Sequence, residues 1–319
     1  MSAAVVLATA LGCSAPRAAG KSDVPGPPAL MVYRGAGCDG LNVLPAFERI
    51  VGRRVDGVVD FLDQDSWARF DSSARWIADC WSDTPYALVL SVPMLTREKT
   101  DTLRAGADGA YDAHFQELAR VLIRAGHEDA VLRVGWEFDG DWYPWSASRD
   151  PQAFAPYYRR IVQTMRAVPG GRFRFAWNFN LGENKSKPDR FYPGDDVVDL
   201  IAADVYNQSW RAEDADPAVR RRNRHAQPYG LDWLAGFARA HGKPIAIPEW
   251  GTGVRPDGHG FGDDPEFVAD MASWMSEQGV VLHGYWDYPA GDYDAELSKG
   301  RYPRAAAVLR SRFGPPPSR

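Results

Sequence analysis

The chain has 319 residues, 45% of them hydrophobic and 25% charged, with a formal net charge of −5. That is the balance of a soluble globular protein, long enough for one large barrel-type domain or two smaller ones. Mild acidity, with no basic patch interleaved with aromatics, argues against a nucleic-acid partner; the one basic cluster, Arg220-Arg221-Arg222-Asn223-Arg224, reads as a solvated loop face.

In chain order, Ala3 to Gly12 is apolar and small and is followed by Cys13-Ser14-Ala15-Pro16, the pattern of an export signal too short to span a bilayer. Gly12-Cys13 resembles a bacterial lipoprotein processing site, with Ala10 where Leu is usual. It predicts a secreted or cell-surface protein attached to a membrane through a lipidated Cys13. Ala15 to Pro28 has the composition of a flexible tether. Residues 1–28 are therefore read as export segment and tether, 29–314 as the folded domain and 315–319 as a tail. No CxxC or His-rich spacing suggests a metal site.

Strand-length apolar runs follow at Leu30-Gly35, Gly57-Leu62, Tyr86-Val92, Ala130-Trp136, Arg172-Asn178, Val198-Val205, Pro244-Pro248 and Val280-Tyr285. They are nearly continuous rather than alternating, the mark of parallel strands covered on both faces. Between them the spacing predicts helices at Val43-Val51, Trp67-Cys80 (capped by Asp65 or Ser66), Asp101-Ala125, Gln152-Ala167 after the start signal Asp150-Pro151, Gly230-His241, Asp264-Gln278 and Pro303-Phe313. Leu181-Gly194 is too irregular for a firm helix, and Gln208-Pro228 reads as a long loop.

Eight strand–helix units without an internal repeat or a second domain predict a single-domain α/β protein, a (β/α)₈ TIM barrel. The rival, an open doubly wound sheet, lacks a Gly-rich phosphate fingerprint after its first strand. Cys38 and Cys80 are the pair available for a disulfide in an oxidising compartment. The barrel places Cys38 at the top of one unit and Cys80 at the bottom of the next, and so predicts them unpaired.

Two of the strands end in glutamate: Glu137 closes Val131-Leu132-Arg133-Val134-Gly135-Trp136, and Glu249 follows Pro244-Ile245-Ala246-Ile247-Pro248. In such barrels chemistry sits at the carboxyl ends of the strands, so both acids should face one cleft. Trp136, Trp142, Trp145 and Trp250 lie close to them in sequence. Two carboxyl groups among aromatic platforms are what glycosidic-bond hydrolysis requires, one to protonate the leaving oxygen and one to attack the sugar or activate water. Arg133, four residues before Glu137, has the parity to point inward beneath the cleft and orient Glu249. Trp177, Asn178 and Asn180 close the fifth strand as candidate sugar contacts. Asp139 and Asp141 read as loop caps.

The order Arg133-x-x-x-Glu137, Asp139-Gly140-Asp141-Trp142 and Pro248-Glu249-Trp250-Gly251 resembles glycoside hydrolase family 26, whose members include endo-β-1,4-mannanases, β-1,3-xylanases and mixed-linkage β-glucanases. The resemblance runs from about Leu30 to Phe313. It implies a retaining endo-β-glycanase with Glu137 as general acid/base and Glu249 as nucleophile, needing no cofactor or metal. It further implies that Tyr206 hydrogen-bonds the nucleophile, that Trp286 forms the floor under the sugar being cleaved, and that Trp142 walls the neighbouring subsite. Trp136 stands where family mannanases carry His and related families Asn, and it joins Trp142, Tyr206, Trp286, Trp177 and Asn178 as an expected substrate contact. The substrate is expected to be β-1,4-mannan, with β-1,3-xylan or β-glucan as alternatives, and the protein to act as a monomer. A carbohydrate-binding barrel without catalysis is the reading from another class. An aldolase or phosphate-handling isomerase is disfavoured, since neither a strand-end lysine nor a phosphate-gripping Gly loop is present.

Overall fold

The computed structural model describes residues 28–315. The export segment, Cys13 and the end of the tail lie outside the described residues. Eight parallel strands close into a barrel in chain order: β1 (Ala29–Tyr33), β2 (Gly57–Phe61), β3 (Ala87–Val92), β4 (Val131–Val134), β5 (Arg174–Asn180), β6 (Leu200–Tyr206), β7 (Ile245–Gly251) and β8 (Leu282–Trp286), with β8 pairing back onto β1. Around them run α1 (Gly37–Val51), α2 (Trp67–Ser82), α3 (Leu103–Ala107), α4 (Asp112–Arg124), α5 (Phe154–Arg166), α6 (Pro217–Ala226), α7 (Leu231–Ala240), α8 (Pro265–Glu277) and α9 (Pro303–Phe313). The predicted (β/α)₈ architecture is the one observed.

Strand residues alternate between the barrel interior and the helix-facing wall. Met31, Val59, Val89, Val131, Ala176, Leu200, Ala202, Ala246 and Leu282 fill the interior as one apolar plug. Two residues further along their strands the inward positions turn polar: Ser91, Arg133, Asn178 and Asp204, all fully buried. The last inward positions, Tyr33, Phe61, Asn180, Tyr206 and Trp286, open on the C-terminal face. That third tier is where a barrel of this kind carries its chemistry.

The structure corrects the helix reading at three places. α1 begins at Gly37, not Val43, because the Asp60 carboxylate takes the Gly37 N–H at 2.8 Å and holds the first turn ahead of Pro45. The single helix expected over 101–125 is two. Gly109, at φ 98°, breaks it with a left-handed backbone that favours glycine. The expected loop 208–228 contains α6, started by Asp216-Pro217, the same signal as Asp150-Pro151: Asp216 caps Ala218 and Val219. Its basic run is only partly a solvated face, with Arg221 and Arg222 exposed. Arg220 and Arg224 are buried, bound at 2.7 Å to Asp264 and Asp270, and lie over the Phe261 and Phe267 rings.

Cys38 and Cys80 are bonded, against expectation, with Cα atoms 5.1 Å apart. The two helices are offset along their length. The first turn of α1 and the last turn of α2 meet at one carboxylate, since Asp60 accepts from Gly37 N–H and from the Trp81 indole N–H at 2.9 Å. The bridge closes a separation of 42 residues. Replacing both cysteines by Ser should lower unfolding stability by about 2–4 kcal/mol. Urea denaturation of the oxidised protein and the variant measures this, and equal midpoints would contradict a stabilising bridge.

Candidate active site

Glu249 reaches the interior through an irregularity in β7. Ala246 points inward and Ile247 outward, so strict alternation would send Glu249 into the helix layer. Between Ile247 and Trp250, however, β7 carries one residue more than either neighbouring strand. Such a bulge reverses the parity beyond it, and Pro248, which donates no ladder hydrogen bond, is tolerated there. Trp250 therefore faces out, packing on Phe267, Tyr285 and Phe313 with its indole N–H on His283 Nδ1 at 3.0 Å, while Glu249 faces in.

Glu137 arrives differently. β4 ends at Val134, and the chain turns through Gly135 (φ 58°) and Glu137 itself (φ 52°). Its N–H donates to the Asn178 carbonyl at 2.9 Å and that of Gly135 to Val92, so both neighbouring strands hold the turn. A left-handed backbone on a residue with a Cβ costs roughly 1–2 kcal/mol. A Cβ at position 135 would sit 2.4 Å from Met94 Sδ, so glycine is required there.

Arg133 ties Glu249 to the barrel. Its Nη2 donates to Glu249 Oε1 at 2.5 Å and to Asp204 Oδ2 at 2.6 Å, Nε to Asn178 Oδ1 and Nη1 to Ser91 Oγ, both at 2.9 Å. The Tyr206 hydroxyl donates to Glu249 Oε2 at 2.7 Å. Both oxygens of Glu249 thus accept from fixed donors, the pairing that an ionised carboxylate takes.

Glu137 keeps an edge open to the cleft. Asn180 Nδ2 donates to its Oε1 at 2.5 Å and the Trp142 indole N–H to its Oε2 at 2.9 Å. Burial pushes its carboxyl up to about 8, and the charge of Glu249 pushes the same way, outweighing the hydrogen bonds from Asn180 and Trp142. Asn180 is itself set by Asp139, whose buried carboxylate accepts from the Asn180 and Asn184 N–H groups, each at 2.8 Å. Trp142 lies half-exposed across Gly140. Trp286 stacks on Tyr33, with centroids 4.5 Å apart, and meets Phe61 edge-on.

Glu137, Glu249, Trp142, Tyr206 and Trp286 are thus brought to one cleft; three other expected contacts are not presented to it. Trp177 has outward parity and is enclosed by Phe138, Phe179, Tyr192 and Phe237. Asn178 points inward but lies beneath the cleft, on Arg133. Trp136 is 2% exposed, with its indole donating to the Tyr143 hydroxyl at 3.0 Å. Tyr143, absent from the sequence reading, therefore occupies this part of the wall. Burial, then the charges of Glu137 and Glu249, keep its hydroxyl protonated. Only its place next to Trp142 signalled it. Among the described residues, no group of three or more His, Cys, Asp or Glu is arranged to hold a metal.

The model of glycosyl hydrolase family 26 matches residues 113–220, a span holding Glu137, Asn180 and Tyr206. The chain resembles glycosyl hydrolase family 26. It is 28% identical over 299 residues to Endoglucanase H of Acetivibrio thermocellus, covering 86% of this chain and 29% of that protein. To the mannan endo-1,4-beta-mannosidase of Bifidobacterium adolescentis it is 25% identical over 181 residues, covering 53% of this chain and 18% of the relative. The chain thus spans less than a third of the length of either curated relative. An endo-beta-1,4-mannanase of Cellulomonas fimi, 18% identical, superposes with a TM-score of 0.64 over 91% of this chain and 72% of that one, a likeness of fold. The family 26 resemblance read from the motifs is upheld.

Two expectations follow from the geometry. Replacing Glu249 by Gln removes the neighbouring charge, so the Glu137 pKa should fall below about 8 while staying above that of a free glutamate, burial being the larger cause. Carboxyl NMR titration reads this, and an unchanged value would separate the two groups. Replacing Arg133 by Met leaves Asp204 and Glu249 buried without their cation and should cost on the order of 3–5 kcal/mol. Adding Asp204→Asn should recover part of the loss in urea unfolding; no recovery would deny that they share one charge balance.

Proposed function

We propose that this protein is a retaining endo-β-glycanase, with β-1,4-mannan as its leading substrate. The observation that carries this reading is the division of labour between two acids in one cleft. Glu137 holds its proton up to about 8, while Glu249 is clamped by Arg133 and Tyr206. A carboxyl group that keeps its proton, beside one whose two oxygens are fixed by donors, makes an acid and a nucleophile.

In the first step a Glu249 oxygen attacks the anomeric carbon, the bond to the leaving oxygen breaks, and Glu137 gives that oxygen its proton. In the second, Glu137 takes a proton from water, whose oxygen attacks the same carbon and releases Glu249. The ester has no charge, so the push on the Glu137 pKa from Glu249 disappears when a base is needed. The stacked Trp286 and Tyr33 supply an apolar face for the sugar ring.

A β-glucan is the second reading, favoured by the longer match to an endoglucanase than to a mannosidase. We further propose that the protein works in an oxidising compartment, which the Cys38–Cys80 bridge supports.

Reducing-sugar release from mannan, β-1,3-xylan and β-glucans tests the activity. Glu137→Gln and Glu249→Gln should each lower kcat by at least about a thousandfold, and a 2-deoxy-2-fluoro glycoside should leave a stable ester on Glu249. Activity should decline as pH rises through about 8, where Glu137 loses its proton. Full turnover by the Glu249 variant would refute the assignment, and oligosaccharide binding without hydrolysis would favour the binding-protein alternative.

A further inference from the structure

Two loops of the C-terminal face are joined into one rim. Gln208 and Gly260 form an antiparallel bridge, Ser209 N–H donates to the His259 carbonyl at 3.0 Å, and Arg255 Nη1 donates to Gln208 Oε1 at 3.0 Å. Trp210 stands on this rim. Its ring is backed by the Arg255 guanidinium at 5.1 Å and by the His259 ring at 5.2 Å, yet it is 59% exposed, more than any other large hydrophobic residue among those described. An indole held on a braced mount and left in water is a ready-made stacking surface.

Trp210 borders a cavity of about 250 Å³ that also reaches Asn180 and Tyr206, the residues hydrogen-bonded to Glu137 and Glu249. The cavity therefore continues the catalytic cleft on the β5–β6 side, across the barrel from Trp286 and Tyr33. In its lining Arg220 and Arg224 are matched by Asp264 and Asp270, and Asp204 by Arg133, so these charges are already paired, which suits an uncharged ligand. The amides of Asn180, Gln208 and Gln227 offer both donors and acceptors to hydroxyl groups.

We propose that Trp210 and this cavity form a subsite for neutral β-linked sugar on the leaving-group side of the scissile bond. The inference rests on the glycanase reading. With the reacting sugar on Trp286, the chain beyond Glu137 passes toward Trp210.

The test compares Trp210→Ala and Trp210→Phe with the unaltered protein on two substrates: the soluble β-glycan hydrolysed best, and a nitrophenyl oligoglycoside of the same sugar, which has no sugar on the leaving side. Trp210→Ala should lower kcat/KM on the polysaccharide about tenfold, equivalent to about 1.4 kcal/mol, with the loss confined to that substrate. Trp210→Phe should restore most of it, and transfer to added oligosaccharide acceptors should weaken in parallel. An equal loss on both substrates, or none on either, overturns the subsite while leaving the glycanase reading intact. If the unaltered protein hydrolyses no β-glycan, the glycanase reading fails, and the subsite with it.

Discussion

The structure turns on one buried cation. Arg133 lies at the level where the barrel interior changes from apolar to polar, and it engages β3, β5, β6 and β7 at once through Ser91, Asn178, Asp204 and Glu249. A guanidinium is costly to bury and repays that cost only where its donors are matched. Here the matching spans half the barrel's circumference, so the position of Glu249 is tied to the register of four strands.

The two acids reach the cleft by opposite departures from regular structure. Glu249 needs one residue too many in β7; Glu137 needs a left-handed backbone after β4 ends early. Each departure is held from both sides. The bulge is fixed by Trp250 in the helix layer, and the turn by hydrogen bonds to Val92 and Asn178. Strain of this kind persists where the surroundings over-determine it, and it clusters at functional sites.

Much of this was legible in the sequence because the signals are local. Continuous apolar runs mark strands buried on both faces, and Arg133 points inward by simple parity. The same parity separates Trp177 from Asn178: neighbours on a strand cannot both face the cleft, and the tryptophan went to the wall. What was not legible depends on partners distant in the chain. Arg220 and Arg224 look solvated until Asp264 and Asp270, 44 and 46 residues away, come to meet them. The Cys38–Cys80 bond depends on how far two helices are offset, which neither helix encodes alone. Trp210 becomes a platform only when the 208–210 and 255–260 segments pair.

The charges arranged around Arg133 also bear on the chemistry. Burial pushes the Asp204 carboxyl well above its usual range against the pull of Arg133, and the charges of Glu249 and Glu137 push the same way. On the proposed reading the Glu249 carboxylate, fixed by Arg133 and Tyr206 before substrate arrives, favours the positive character that develops at the anomeric carbon. Once the ester forms, the push from the Glu249 charge is gone, and burial with the nearby Asp139 is what still raises the Glu137 pKa. A single cation shared between a nucleophile and a non-reacting aspartate therefore serves both half-reactions. It fixes the attacking oxygen while the glycosidic bond breaks, and keeps Asp204 as a partner while the ester awaits water.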